Sequence, residues 1–242
     1  MIAAPKQDTD PRFVLIHSPL CGPLTWQPVA EELRHQGLEV VLLALRDDSA
    51  VTAPYWKQHA AAVVRALEGV PTDRPLILVA HSGAGPLLPA IGAALSHSVG
   101  AYLFVDAGLP HPALSRLDEM AQNVPEIAVA LRASLIAGGR YPTWRDDDLR
   151  ALIPDARLRA GVSAELQPRA LDYFTEPLPP IADWPDAPCG YLRFSAAYDS
   201  AAADARRLGW PVRAFDGGHF HQLIDPGGIT AALLTMGRES LR

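Results

Sequence analysis

Short runs of consecutive apolar residues alternate along the chain with longer stretches in which apolar positions recur every three or four residues, a pattern that predicts strands separated by helices. Runs rich in β-branched and aromatic residues fall at 13–17, 39–43, 76–80 and 101–105. Between the first two, Trp26, Val29, Ala30 and Leu33 share one helical face, and Gly37 is placed to end that helix. Between the second and third, Trp56, Ala60, Val63, Val64 and Leu67 repeat the pattern and stop at Gly69. Strands this apolar, joined by amphipathic crossovers, make a parallel sheet covered on both faces.

From 111 to 187 the pattern changes. Two amphipathic stripes, Leu114, Leu117, Met120 and Val124, then Ile127, Leu131 and Leu135, are separated by Pro125, and Pro142, Pro154 and Pro168 interrupt the helical segments beyond them. The five prolines of 176–188 make a stiff, extended return. Strand character reappears at 191–194 and 212–215. The expected architecture is α/β: a mostly parallel sheet flanked by helices, its core built from 1–110 and 188–242, with a helical cap inserted at 111–187.

Composition narrows the function. A chain of 242 residues, 49% hydrophobic and 20% charged, is a globular domain large enough for an inserted subdomain. With a net charge of -6 and no run of Lys or Arg, it has no footprint for nucleic acid. The apolar runs fall far short of the ~20 residues needed to span a bilayer. Residues 1–11 lack the apolar stretch of a secretory signal, so the chain reads as cytoplasmic. Cys21 and Cys189 form no CxxC pair and sit in no Cys/His cluster, which predicts two buried free thiols and no structural metal. Asp146, Asp147 and Asp148 read as a helix N-terminus rather than a cation site.

The candidate chemistry concentrates where the strand at 76–80 runs into Ala80-His81-Ser82-Gly83-Ala84 and then into a helical stretch. A serine on so tight a turn needs small neighbours two residues away, and its hydroxyl projects above the sheet beside the helix's free N–H groups. An unassisted hydroxyl is a weak nucleophile, so a base and a group that orients the base must be found. His219, in Gly217-Gly218-His219-Phe220, follows the last strand, and Asp199 follows the strand before it. Both would then lie with Ser82 at the carboxyl ends of parallel strands. Asp106, directly after the strand at 101–105, is the rival acid, read otherwise as an anchor of the strand end; His221 is the rival base.

The elbow at 80–84, the His17 loop followed by Trp26, and the run from Gly218 to Pro226 together resemble the α/β-hydrolase superfamily over residues 12–240. The resemblance implies Ser82 as nucleophile, His219 as base, Asp199 as acid and 111–187 as the cap; His17 and His81 would be structural. Ala80 and Ala84 stand where the family usually has glycine, and the family's first two strands are missing. Relatives carry His-Gly-x after the early strand, the N–H of x completing the oxyanion hole. Here the run is His17-Ser18-Pro19, and proline has no N–H. Gly83 N–H and, one residue on, Leu20 N–H become the expected oxyanion donors, with the Ser18 side chain as an alternative. The implied activity is hydrolysis of an ester, lactone or thioester of a largely apolar small molecule without a cofactor. Pro19 keeps a lyase, cyclase or condensation reaction in view, and a non-catalytic ligand-binding module is a third reading.

Overall fold

The computed structural model describes residues 11–45, 54–123 and 125–241. Residues 1–10, within the stretch read above for a signal, and Val124, placed on the first stripe, lie outside them. The strands are β1 (Arg12–Ile16), β2 (Val40–Leu42), β3 (Leu76–His81), β4 (Val99–Val105), β5 (Cys189–Arg193) and β6 (Val212–Ala214). They form one six-stranded sheet in the order β2-β1-β3-β4-β5-β6. Every neighbouring pair is parallel. All six predicted runs are therefore strands of one sheet.

The helices are α1 (Gln27–His35), α2 (Tyr55–Ala66), α3 (Leu88–Ala94), α4 (Arg116–Asn123), α5 (Pro125–Ile136), α6 (Asp146–Arg150), α7 (Ala156–Ala164), α8 (Leu171–Thr175), α9 (Asp199–Arg207), α10 (His221–Ile224) and α11 (Pro226–Ser240). Side chains alternate across the sheet. Val14, Ile16, Leu78, Ala80 and Phe104 pack with α2, α3 and α9 on one face. Phe13, Leu15, Ile77, Val79 and Leu103 pack with α1 and α11 on the other. Two covered faces explain why β1 and β3 are buried at every position.

Local signals hold at the helix ends. Gly37, at φ +83°, and Gly69, at φ +78°, take the left-handed conformation that ends α1 and α2. Asp225 caps α11, accepting the Gly228 N–H at 2.8 Å, with Pro226 at the first helical position. Pro89 kinks no long helix. The segment after Ser82 begins as a 3-10 helix (Ser82–Leu87) and becomes α3 only at Leu88. Pro89 thus falls in a first turn, where its missing N–H costs nothing.

The chain from β1 goes outward to β2 and then crosses β1 to β3, so the strand order reverses between β1 and β3. Ligand sites of open α/β sheets lie at the strand carboxyl ends beside such a reversal. Helices α4 to α8 fall between β4 and β5. Leu117, Leu135, Tyr173 and Phe174 form one apolar cluster there. Leu149, Ile153 and Val162 form another with Cys21, Phe220 and Leu223. Ile127, placed on the α5 stripe, is 59% exposed at the rim of the cavity described below rather than inside a core. No helix among the described residues is long and apolar enough to cross a membrane.

Candidate active site

β3 ends at His81, and Ser82 reverses the chain into the helix with φ +57°. This left-handed backbone is uncommon for a residue with a Cβ and stores on the order of 1–3 kcal/mol. Ala80 and Ala84 beside it are fully buried. The position that demands glycine is Gly85, where a Cβ would collide with the Gly108 carbonyl oxygen and crowd Ala107 and Phe104.

Ser82 Oγ lies 3.0 Å from His219 Nε2. The other ring nitrogen, Nδ1, lies 2.8 Å from Asp106 Oδ2. An ionised carboxylate only accepts, so Nδ1 carries the ring proton and Nε2 is free to take one from the serine. Asp106 is fully buried at the first position after β4, with φ +41°. Its Oδ1 accepts the N–H groups of Phe194 and Ser195 at 2.8 and 2.9 Å, and its Oδ2 the Ser195 hydroxyl at 2.6 Å. Burial pushes this carboxyl up, but the bonds from His219 and Ser195 outweigh it and hold Asp106 below the ordinary carboxylate range.

The acid facing His219 is therefore Asp106 and not Asp199, which corrects the expectation. Asp199 accepts Arg193 Nε and Nη2, both at 2.6 Å, with its side chain 60% exposed. The 3-10 turn Ala196–Tyr198 after β5 carries residue 199 outward to the start of α9. Asp106 needs no such excursion: β4 pairs directly with β5, so its side chain lies under the Phe194-Ser195 backbone and beneath the loop that brings in His219.

The other histidines brace. His81 Nε2 donates to the His219 carbonyl at 2.8 Å, and the two rings lie 4.5 Å apart. Burial lowers His81 to about 3 and keeps it neutral. His17 Nδ1 donates to the Ser18 carbonyl at 2.8 Å while Nε2 accepts the Leu45 N–H at 2.9 Å. Burial lowers His17 to about 4. His221 packs against Phe194 and Phe215.

Around the expected oxyanion position, Gly83 follows the nucleophile in the first turn of the helix, where N–H groups have no carbonyl one turn back. Leu20 does not match the expectation, because its N–H points to Ser18 Oγ at 3.3 Å. The loop is fixed in that form by Arg169, whose Nε and Nη2 donate to the Pro19 carbonyl at 3.1 and 2.8 Å.

Sequence reasoning missed three side chains here. Tyr198 places its hydroxyl 3.2 Å from Ser82 Oγ and stacks on His219, centroids 5.2 Å apart and planes at 12°. Burial raises its pKa, so it stays a neutral phenol. Arg116, at the start of α4, lies over the Tyr173 ring at 4.9 Å. Glu119, one turn along, is pushed up to about 7 by burial, against the pull of Arg116. None stands in a motif: Tyr198 follows two alanines, and the other two sit among polar residues of an amphipathic helix.

Ser82 and His219 open into a cavity of about 390 Å³, walled mainly by apolar side chains such as Leu20, Met120, Trp144 and Phe174, with Arg116 and Glu119 on its surface. Among the described residues, no group of three His, Cys, Asp or Glu could hold a metal ion. Cys21 and Cys189 are free and buried, and burial pushes both thiols up to about 12, far from reactive thiolates.

Comparison with known proteins bears on the family and the fold. A family model described as "Alpha/beta hydrolase family" matches residues 13–232. No curated protein matches significantly. Among solved structures, an extracellular alpha/beta-hydrolase from Paenibacillus species, described as homologous in structure and function to tobacco salicylic acid binding protein 2, is similar at TM-score 0.76 and 20% identity, over 95% of this chain and 100% of that one. Tomato methylketone synthase I, complexed with 2-tridecanone, is similar at TM-score 0.72 and 14% identity, over 96% and 99%. A pyrethroid hydrolase from Sphingobium faniae JZ-2 is similar at TM-score 0.69 and 15% identity, over 94% and 97%. At these identities the likeness is one of fold.

Proposed function

Because the chain belongs to the α/β-hydrolase family, we propose that it is a serine hydrolase cleaving an ester, lactone or thioester of a small, largely apolar molecule, with Ser82, His219 and Asp106 as its triad. One observation carries the reading: Ser82 Oγ, His219 and Asp106 are linked in series at 3.0 and 2.8 Å on the floor of an apolar cavity. The segment 111–187 acts as a cap, contributing Arg116, Met120, Trp144 and Phe174 to the cavity wall.

In this mechanism Ser82 Oγ attacks the substrate carbonyl as its proton passes to His219 Nε2. Asp106, ionised and fixed by the Phe194 and Ser195 N–H groups just after β5, stabilises the imidazolium and keeps the ring oriented. The same proton goes to the departing alcohol or thiol, or to the ring-opened oxygen of a lactone. Water then repeats the sequence on the acyl-enzyme, with His219 as base and Ser82 as leaving group. The Gly83 N–H faces the oxyanion. The cavity suits an acyl or alcohol portion recognised by burial of apolar surface, at roughly 25 cal/mol per Å².

The test is turnover of p-nitrophenyl butyrate, with Ser82→Ala expected to abolish it and undiminished activity in that variant removing Ser82 from the mechanism. A second reading, a lyase or cyclase using the triad for proton transfer alone, is favoured by Pro19 and by the turned-away Leu20 N–H. It gains interest from the likeness to tomato methylketone synthase I. Turnover without any acyl-enzyme would support it.

A further inference from the structure

The oxyanion problem has a resolution on the cavity wall. Pro19 has no N–H, and the Leu20 N–H is directed to Ser18 Oγ at 3.3 Å. Of the backbone donors the sequence offered, that leaves the Gly83 N–H, in the first turn after the nucleophile. Loss of one such donor typically lowers kcat on the order of 10²–10³-fold, which is a large deficit for an otherwise complete triad. The side chain that reaches Gly83 from the cavity wall is Arg116. Its Nη1 lies 2.8 Å from the point a Cβ on Gly83 would occupy, and Ser18 Oγ lies 3.3 Å from the same point. A residue other than glycine after Ser82 would push the guanidinium away. The absent side chain at 83 and the long one at 116 fill a single space.

Arg116 has the chemistry for the task. Among the described residues it makes no ion pair and no hydrogen bond; its contact is with the face of Tyr173, 4.9 Å from the ring centroid. A guanidinium offers five donors. Held on an aromatic face in an apolar cavity, with no hydrogen bond or ion pair among the described residues taking up its donors, it is preorganised for a negative charge that develops only during reaction. Glu119 faces the same cavity. Burial pushes its carboxyl up to about 7, against the pull of Arg116, so near neutral pH only part of it is ionised and able to compete for Arg116.

We propose that Arg116 is a catalytic residue of the hydrolase, its guanidinium donating to the tetrahedral oxyanion in place of the N–H that Pro19 removes. The assignment rests on the serine-hydrolase reading. As the Ser82 Oγ–carbon bond forms, the carbonyl π pair moves onto oxygen and the hydroxyl proton moves to His219 Nε2. Arg116 accepts and releases no proton. It stabilises the new negative charge until the pair returns to carbon and the leaving group departs.

The experiment compares Arg116→Met, Arg116→Gln and Arg116→Lys with the wild type on uncharged p-nitrophenyl butyrate, alongside the Ki of an uncharged trifluoromethyl ketone that becomes an oxyanion when Ser82 adds to it. Circular dichroism and thermal unfolding check that the variants are folded. Arg116→Met and Arg116→Gln are expected to lower kcat on the order of 10²–10³-fold, with KM changed less than about threefold and Ki for the ketone weakened in parallel. Arg116→Lys is expected to recover part of the loss. Gly83→Ala, which displaces the guanidinium, should cost kcat in the wild type and much less in Arg116→Met. If folded Arg116→Met keeps kcat and ketone affinity within about threefold, or loses affinity only for substrates bearing a carboxylate, the assignment is overturned while the hydrolase stands. If Ser82→Ala hydrolyses the ester as fast as the wild type, the hydrolase reading itself falls, and the assignment with it.

Discussion

Replacing Asp106 by asparagine would separate the observed acid from the one expected in sequence, and the outcome can be worked out atom by atom. The Oδ1 position accepts two backbone N–H groups, from Phe194 and Ser195 at 2.8 and 2.9 Å. An asparagine must place its oxygen there, because its NH₂ group cannot accept. The NH₂ then takes the Oδ2 position, 2.8 Å from His219 Nδ1, and donates to it. That forces the imidazole into the tautomer protonated at Nε2, which cannot accept the Ser82 proton at 3.0 Å. A triad locked in the wrong tautomer loses on the order of 10⁴-fold in kcat, or about 5.5 kcal/mol of transition-state stabilisation. Losing the charge on these bonds also destabilises the fold, by about 1–3 kcal/mol. Asp199→Asn removes only an exposed pair with Arg193 and should leave kcat within about twofold. Steady-state hydrolysis of p-nitrophenyl butyrate, with urea unfolding as a control, reads both variants. A folded Asp106→Asn retaining a tenth of wild-type kcat, or a large loss in Asp199→Asn, would refute the assignment.

Two further outcomes rest on the same geometry. Burial lowers His17 and His59 to about 4 and His81 to about 3, so all three are neutral in the folded protein but protonate when it unfolds below the ordinary histidine range. Their contribution to stability is complete above about pH 6.5 and is lost as pH falls toward 4. Glu119, raised to about 7, opposes them over part of that window. The net uptake of about two protons gives a stability that falls by roughly 3 kcal/mol per pH unit near pH 5. Urea midpoints at pH 7, 6 and 5 should shift steadily downward, and a flat profile would contradict the buried neutral histidines. Gly85→Ala sets a Cβ against the Gly108 carbonyl oxygen. It is expected to lower Tm or prevent soluble expression, whereas Gly37→Asn, at a left-handed position with open space around it, should cost little by the same thermal assay.

The strands were legible because each is buried on both faces and so appears as an unbroken apolar run with its own turn signals. Ser82 and His219 were legible because tight turns constrain their neighbours. The acid was not. An aspartate after a strand looks the same whether the next residues hold it beneath the sheet edge or carry it to the surface. The difference between Asp106 and Asp199 lies in a three-residue 3-10 turn and in the pairing of β4 with β5. Arg116 and Tyr198 were illegible for a related reason: their places in the site depend on how α4 and the loop after β5 close over the sheet, a tertiary arrangement with no local pattern. The Pro19 anomaly was visible in the sequence, but the side chain standing beside Gly83 was not.

The most direct test of the central claim is labelling with an alkyl fluorophosphonate, read by intact mass and peptide mapping in the wild type, Ser82→Ala and Asp106→Asn. The account predicts one phosphonyl adduct per wild-type chain, carried on Ser82, none in Ser82→Ala, and labelling of Asp106→Asn slowed in step with its loss of turnover. A folded wild-type protein that takes no label, or takes it on another residue, would contradict it.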